Sequence, residues 1–152
     1  MLKEALTDAS RVAILGCGSP FRGDDAAGSR IAELLGDLRG RARAFVGGTA
    51  PENLTGEIKR YNPDLILVID AVDMSLPPGE TQLILSEEIG GVTFSTHILP
   101  LSIIMDYLAS EIGCKVFLLG IQVKSLEFMT DPSPLVAQAI DTIAAELREI
   151  LA

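Results

Sequence analysis

The sequence predicts an α/β three-layer sandwich, with helices on both faces of a mostly parallel, twisted sheet of about five strands, one of them antiparallel. Three observations carry this reading. Short aliphatic runs alternate along the chain with segments of helical apolar spacing. The run LILVID at 65–70 is rich in aliphatic and β-branched residues and lacks a polar alternation, as a strand covered on both faces requires. The segment TQLILS at 81–86 directly follows the turn SLPPGE at 75–80, which leaves no room for a crossover helix. It is therefore read as a returning, antiparallel strand at or near an edge.

The remaining elements follow in order. Residues 11–18, RVAILGCG, form an apolar strand that ends in glycines. Residues 27–38 place Ile31, Leu34, Leu35 and Leu38 on one helical face. A second strand covers 42–46 and stops at Gly47-Gly48, and PENLTGEIKRY at 51–61 is a short helix opened by Pro51 and weakened by Gly56. The strand at 65–70 takes the centre of the sheet. A helix over 98–112 is stopped by Gly113, and KVFLLGI at 115–121 is the next strand. The last helix starts near Ser133, with Pro134 in its first turn, and runs to the C-terminus.

At 152 residues the chain fits one domain, 1–152, able to bury a core without disulfides or a structural metal. With no Trp and only 5% aromatics, that core must be aliphatic. A net charge of −9 repels phosphate backbones and anionic lipid, which argues against nucleic acid or a membrane as partner. The opening MLKEALTDAS lacks the apolar run of a signal peptide, and no later stretch reaches the roughly 18 apolar residues of a membrane span, so a cytoplasmic location is expected. Cys17 and Cys114 form no C-x-x-C pair and are read as buried, reduced thiols.

In an open sheet of this class, ligands bind beyond the carboxyl ends of the strands, where the strand order reverses. The first such loop, GCGSPFRGDDAAG at 16–28, is glycine-rich but is not G-x-G-x-x-G. Pro20 and Phe21 stand where a dinucleotide fingerprint needs free amides, and no P-loop occurs, so a nucleotide-binding regulatory domain is a weak competing reading. Asp24 and Asp25 lie at the start of the following helix, where carboxylates cap amides. One can cap while the other faces the crevice, and the residues alone do not say which. Asp70 closes the central apolar run, where an acid either meets a ligand or hydrogen-bonds structurally. Asp73 reads as a solvent-facing or turn-capping acid.

His97, the only histidine, precedes the helix that Pro100 helps to start. The dipole there favours neutral imidazole, the form that binds a metal. Asp25, Asp70 and His97 thus come from three loops that the topology gathers at one end of the sheet. Two carboxylates and one imidazole leave coordination positions open on nickel, zinc or a similar divalent ion. A Ser-His-Asp system with Ser19 or Ser95 lacks the G-x-S-x-G elbow, and a thiol protease is poorly supported because neither cysteine lies near the histidine.

Four ordered motifs, GCGSPFRGDDAAG, GGTAPEN at 47–53, VIDAVDM at 68–74 and STHILPL at 95–101, resemble the hydrogenase maturation proteases over most of the chain. DMSLPPGE at 73–80 and LLGIQ at 118–122 bring the resemblance closest to the branch that processes formate-hydrogenlyase-type hydrogenase. The resemblance implies that Asp25, Asp70 and His97 are the catalytic, metal-contacting residues, which assigns the crevice to Asp25 rather than Asp24. It implies an endopeptidase that removes a C-terminal extension from a hydrogenase large-subunit precursor after nickel insertion. The nickel is borne by the substrate and recognised there, although other divalent cations can occupy the site in isolation. If nickel only tethers the substrate, Asp25 or Asp70 would activate water. The alternative from another class is a non-catalytic nickel-chaperone or docking module. The sequence does not fix the oligomeric state, for which a monomer is the default expectation, and the expected partner is the large-subunit precursor. Ser19, where the family has asparagine, and Ala26, where it often has glycine, put the detailed loop shape in question.

Overall fold

The computed structural model describes residues 1–89 and 100–152, together with the backbone of 93 and 94. Its strands are β1 (Val12–Cys17), β2 (Ala42–Gly48), β3 (Leu65–Asp73), β4 (Thr81–Leu85), the two-residue β5 (Thr93–Phe94) and β6 (Lys115–Gln122). Its helices are α1 (Leu2–Leu6), α2 (Ala27–Leu34), α3 (Thr55–Tyr61), α4 (Leu101–Ile112) and α5 (Pro134–Leu151). The sheet runs β2-β1-β3-β6-β4, with β5 paired to the end of β3. β1, β2, β3 and β6 are mutually parallel. β4 returns antiparallel along β6 at the edge, as the Pro-Pro-Gly turn predicts.

Two aliphatic cores lie on opposite faces of the sheet. Ile31 and Leu35, with Ile140, Leu147 and Leu151 of α5, cover one face, and Ile58 of α3 with Leu101, Met105 and Leu108 of α4 cover the other. β3 lies between them, and its residues from Leu65 to Val72 are all buried, which explains the uninterrupted apolar run. α5 begins as predicted, with Ser133 as its N-cap and Pro134 in its first turn. α4 ends at Gly113, whose φ of +73° suits glycine.

Four expectations are corrected. α2 stops at Leu34 instead of 38: Leu35 is its C-cap, Leu34 is exposed, and Leu38 reaches the core through a turn closed by its amide on the Leu35 carbonyl at 3.0 Å. The helix read over 51–61 is a 3-10 turn, Pro51–Leu54, followed by α3, because two closely spaced starts compete in that short stretch. β3 outruns its expected end at Asp70 by three residues, since β6 continues to pair with it as far as Gln122. α1 was not expected; five residues are too few for a periodic signal, yet Leu2 and Leu6 stand one turn apart and are both buried. α4 starts at Leu101 after Pro100, whose ψ of 131° is not helical, and residues 98 and 99 of the expected helix lie outside the described residues.

Arg41 ties the two ends of the chain together. Its guanidinium donates to the carbonyls of Leu6 at 3.0 Å, Ala9 at 2.5 Å and Ile150 at 2.9 Å. Among the described residues no helix is long and apolar enough to cross a membrane.

Candidate functional site

The site begins where one strand stops and its neighbour does not. β1 and β3 pair up to Gly16 and Ile69; β1 then ends at Cys17, which pairs with Gly48 of β2, whereas β3 continues against β6 with Asp70 opposite Gly120. From β1 the chain returns to β2 on one side, and from β3 the sheet extends to β6 on the other, so β1 and β3 flank the switch point. Asp70 is fully buried at this point.

α2 is seated over the gap by glycine. A methyl group on Gly28 would lie 2.1 Å from the Ile69 carbonyl oxygen and 2.5 Å from that of Cys17, so only a residue without Cβ lets the helix start this close to both strands. Gly18 carries the loop past Asp25 with φ +125°, a conformation that side chains disfavour. Its amide donates to the Gly48 carbonyl at 2.8 Å, and its carbonyl accepts the Ser29 hydroxyl at 2.8 Å. The loop is therefore pinned at both ends before it reaches the acids.

Neither adjacent acid caps the helix it precedes, which corrects that expectation: α2 has Ala26 as its N-cap with no side-chain cap hydrogen bond, and the 3-10 turn that holds both acids has none either. Asp24, fully buried, accepts the amides of Lys124 at 2.7 Å and Ser125 at 2.9 Å on Oδ2, and the amide of Ser133 at 2.6 Å on Oδ1. The Ser133 hydroxyl donates to both oxygens, at 2.8 and 2.9 Å. Asp24 thus fastens the β6–α5 loop to the β1–α2 loop and has no capacity left for a ligand. Asp25, also fully buried, accepts the Ser19 amide on Oδ2 at 2.8 Å, while its Oδ1 has no hydrogen-bond partner among the described residues.

Ser19 Oγ accepts the Phe21 amide at 3.2 Å, the local turn that an asparagine side chain would also make. Ala26 is fully buried and opens into α2 without distortion.

A further acid with a buried oxygen is Glu52. It stands in the 3-10 turn after β2, and its Oε2 is buried with no hydrogen-bond partner among the described residues. The available signal was the acid within GGTAPEN, which follows directly on the Gly-Gly end of β2 and was given no role. Cys17 brings the acids into relation. Burial, and after it the negative charges of Asp70, Asp25 and Glu52, push its thiol well above the ordinary range. Three carboxylates from three separate segments therefore act on one buried sulfur, which stays protonated and unreactive.

Of the other candidates, Asp73 is a turn cap: its Oδ1 accepts the Ser75 amide at 3.1 Å and the Gln122 side-chain amide at 3.2 Å, which hold its carboxyl below the usual range. Cys114 is only half-buried, which corrects its reading as a buried thiol, and partial desolvation still raises its pKa. His97 and Ser95 lie outside the described residues. A surface depression between α2 and α5, lined by Arg30, Glu33, Leu34 and Asp141, contains none of the site acids. Buried charge rather than concavity marks this site.

Comparison with known proteins agrees with this architecture. Residues 30–150 match the HycI family model, described as hydrogenase maturation protease. The chain is 34% identical over 136 residues to the hydrogenase 3 maturation protease of Escherichia coli strain K12, covering 88% of this chain and 86% of that one. The crystal structure of the [NiFe] hydrogenase maturation protease HycI from Thermococcus kodakarensis superposes with a TM-score of 0.90 at 32% identity, covering 99% of this chain and 97% of that one. The solution structure of the endopeptidase HycI from Escherichia coli gives a TM-score of 0.81 at 33% identity, over 91% and 90% of the two chains.

Proposed function

The chain belongs to the hydrogenase maturation protease family and is an endopeptidase of that family, and from that premise we propose that it removes the C-terminal extension of a nickel-containing hydrogenase large-subunit precursor once nickel has been inserted. The substrate's nickel is the recognition element, and Asp25, Asp70 and His97 are the groups that meet it. In this reading the chain works in the cytoplasm as one domain, 1–152.

The observation that carries the proposal is the state of Asp25. It is fully buried beside the end of the central strand, one oxygen is fixed by the Ser19 amide, and Oδ1 has no partner among the described residues. A buried carboxylate oxygen without a donor is costly unless a cation or a donor arrives from outside. Asp70 stands on the neighbouring strand end, and the imidazole of His97 would complete a set of oxygen and nitrogen donors suited to nickel. Such a set leaves positions on the ion for the ligands the precursor already supplies.

Chemically, the reaction adds water across one peptide bond: oxygen joins the carbonyl carbon, the C–N bond breaks, and a proton passes to the leaving amine. Contact between the site and the precursor's nickel would hold the scissile bond next to the protease, turning an encounter into a positioned reaction. An acid of the site that is not engaged by the ion could take the proton from water.

The test is intact-mass analysis of a hydrogenase large-subunit precursor incubated with this protein, with nickel-loaded and nickel-free samples compared. Loss of a single C-terminal peptide from the loaded sample alone is the expected result. Binding without any loss of mass would favour a docking module, and equal cleavage of both samples would remove nickel as the recognition element.

A further inference from the structure

Two loops, leaving the carboxyl ends of β1 and β6, are fastened to one another along their main chains. The Asp24 amide donates to the Ser125 carbonyl at 2.9 Å, the Gly23 amide to the Thr130 carbonyl at 3.1 Å and the Met129 amide to the Phe21 carbonyl at 2.6 Å, while Arg22 and Thr130 form an isolated parallel bridge. Within the second loop the Thr130 hydroxyl donates to the Glu127 carbonyl at 2.6 Å. From this fixed backbone emerge Phe21, Phe128 and Met129, which are 59, 65 and 72% exposed. They are the three most exposed large hydrophobic residues among the described ones, and all stand on these two loops. Apolar residues scattered singly over a surface are ordinary, whereas a group on joined loops marks a place of contact. Met129 also has φ +63°, a left-handed conformation that a residue with a side chain enters at a cost.

The group is continuous with the proposed site. Phe21 stands on the segment between Ser19, whose amide donates to Asp25 Oδ2, and Asp25 itself. Phe21 and Asp25 are four positions apart, at most about 14 Å even in an extended chain, so about four residues of substrate can bridge them. An endopeptidase acts on a chain that continues on both sides of the cut bond, and such a chain supplies that segment. A second copy of this protein is a poor occupant, because a net charge of −9 on each makes the copies repel. From the joining of these three exposed side chains to the loop of Asp25, we infer that Phe21, Phe128 and Met129 form an apolar platform that docks an apolar stretch of the precursor polypeptide near its cleavage site. The inference rests on the proposed role of Asp25. Because the platform's main chain is already ordered, docking restricts little more than side-chain freedom, and the flexible thioether of Met129 adapts to an irregular apolar partner.

The test measures binding of nickel-loaded large-subunit precursor by biolayer interferometry and its cleavage by intact-mass kinetics. Wild type is compared with Phe21→Ser, Phe128→Ser, the rescue variants Phe21→Leu and Phe128→Leu, and Asp25→Asn. Each serine variant is expected to weaken binding and raise KM about 10-fold while kcat changes less than about twofold, as loss of an apolar anchor does. The leucine variants should bind within about threefold of wild type, since most of the apolar surface is kept. Melting temperatures should stay level, because the side chains are exposed. Wild-type binding by both serine variants, beside an Asp25→Asn protein that no longer cleaves, would overturn the inference and leave the proposed site standing. A wild-type protein that binds the precursor without cleaving it would defeat the proposed function, while weaker binding by the serine variants would still uphold the platform. Serine variants that melt lower would make these residues part of the scaffold, and a wild-type dimer by light scattering that Phe128→Ser dissociates without change in KM would make the patch a self-interface. Either result would overturn the inference.

Discussion

Replacing Asp24 should separate the two neighbouring acids more sharply than any other change. Asp24→Ala deletes an acceptor that is fully buried and takes the amides of Lys124, Ser125 and Ser133 and the Ser133 hydroxyl. Each hydrogen bond to a charged group contributes about 1.5–3 kcal/mol. Their sum overstates the loss, because the donors are only part-buried and water can reach some of them once the carboxylate is gone. A net cost of roughly 3–5 kcal/mol remains, at the upper end of what single substitutions produce. For a chain of this length that corresponds to a fall in melting temperature of about 6–20 °C. Asp24→Asn keeps one carbonyl oxygen but turns an NH₂ towards amide donors, so it should recover less than half. Ser133→Ala removes only the hydroxyl that donates to this carboxylate and should cost about 1.5–3 kcal/mol. Thermal and urea unfolding followed by circular dichroism measure all three variants. A loss below about 1 kcal/mol for Asp24→Ala would refute the argument that this carboxylate joins the two loops.

Further outcomes follow from the same geometry. Cys17 has a folded pKa raised above its unfolded value, so its contribution to stability is complete below the ordinary thiol range and is lost as pH rises from there towards the folded pKa. Stability should therefore fall above about pH 8.5 by up to about 1.4 kcal/mol per pH unit, and Cys17→Ala should flatten that limb; an unchanged alkaline slope in urea titrations would count against it. Gly28→Ala is expected to abolish soluble folding or cost more than about 3 kcal/mol, since its new methyl meets backbone oxygens that cannot move aside. Gly56→Ala, with only the tip of Arg60 nearby at 3.5 Å, should instead stabilise α3 by about 0.5–1 kcal/mol. A folded, stable Gly28→Ala protein would contradict the close-approach account. His97→Ala is expected to stop cleavage of nickel-loaded precursor while the melting temperature stays level, and normal cleavage would exclude His97 from the proposed site.

How much of this was readable in the sequence depends on which physical signal each part uses. The strands were legible because burial on both faces of β3 demands an unbroken aliphatic run, and β4 because a Pro-Pro-Gly turn cannot carry a crossover. The helix ends were less legible: the apolar spacing of 27–38 is shared by a helix and by a turn that folds Leu38 back onto the same core. The division between Asp24 and Asp25 could not be read from the residues, because it is decided by amides 100 or more positions away. Only the resemblance assigned it. The buried oxygen of Glu52 is illegible for a related reason: an acid after a proline at a helix start is ordinary, and what makes it unusual is that this oxygen has no hydrogen-bond partner among the described residues. Such a property belongs to the packed molecule and has no counterpart in sequence spacing.

The early end of β1 has one more consequence. The switch point beside Asp70 is a subtraction, the difference in length between two adjacent strands whose pairing stops at Gly16 and Ile69 while β3 goes on to Asp73. Lengthening β1 by one or two residues would extend its pairing with β3 past Ile69 and set a strand neighbour against the backbone at Asp70, whatever side chains the insertion carried. The place where the two strands part is thus set by counting, and the proposed site at Asp70 would be altered more completely by a backbone insertion than by many exchanges of side chain around it.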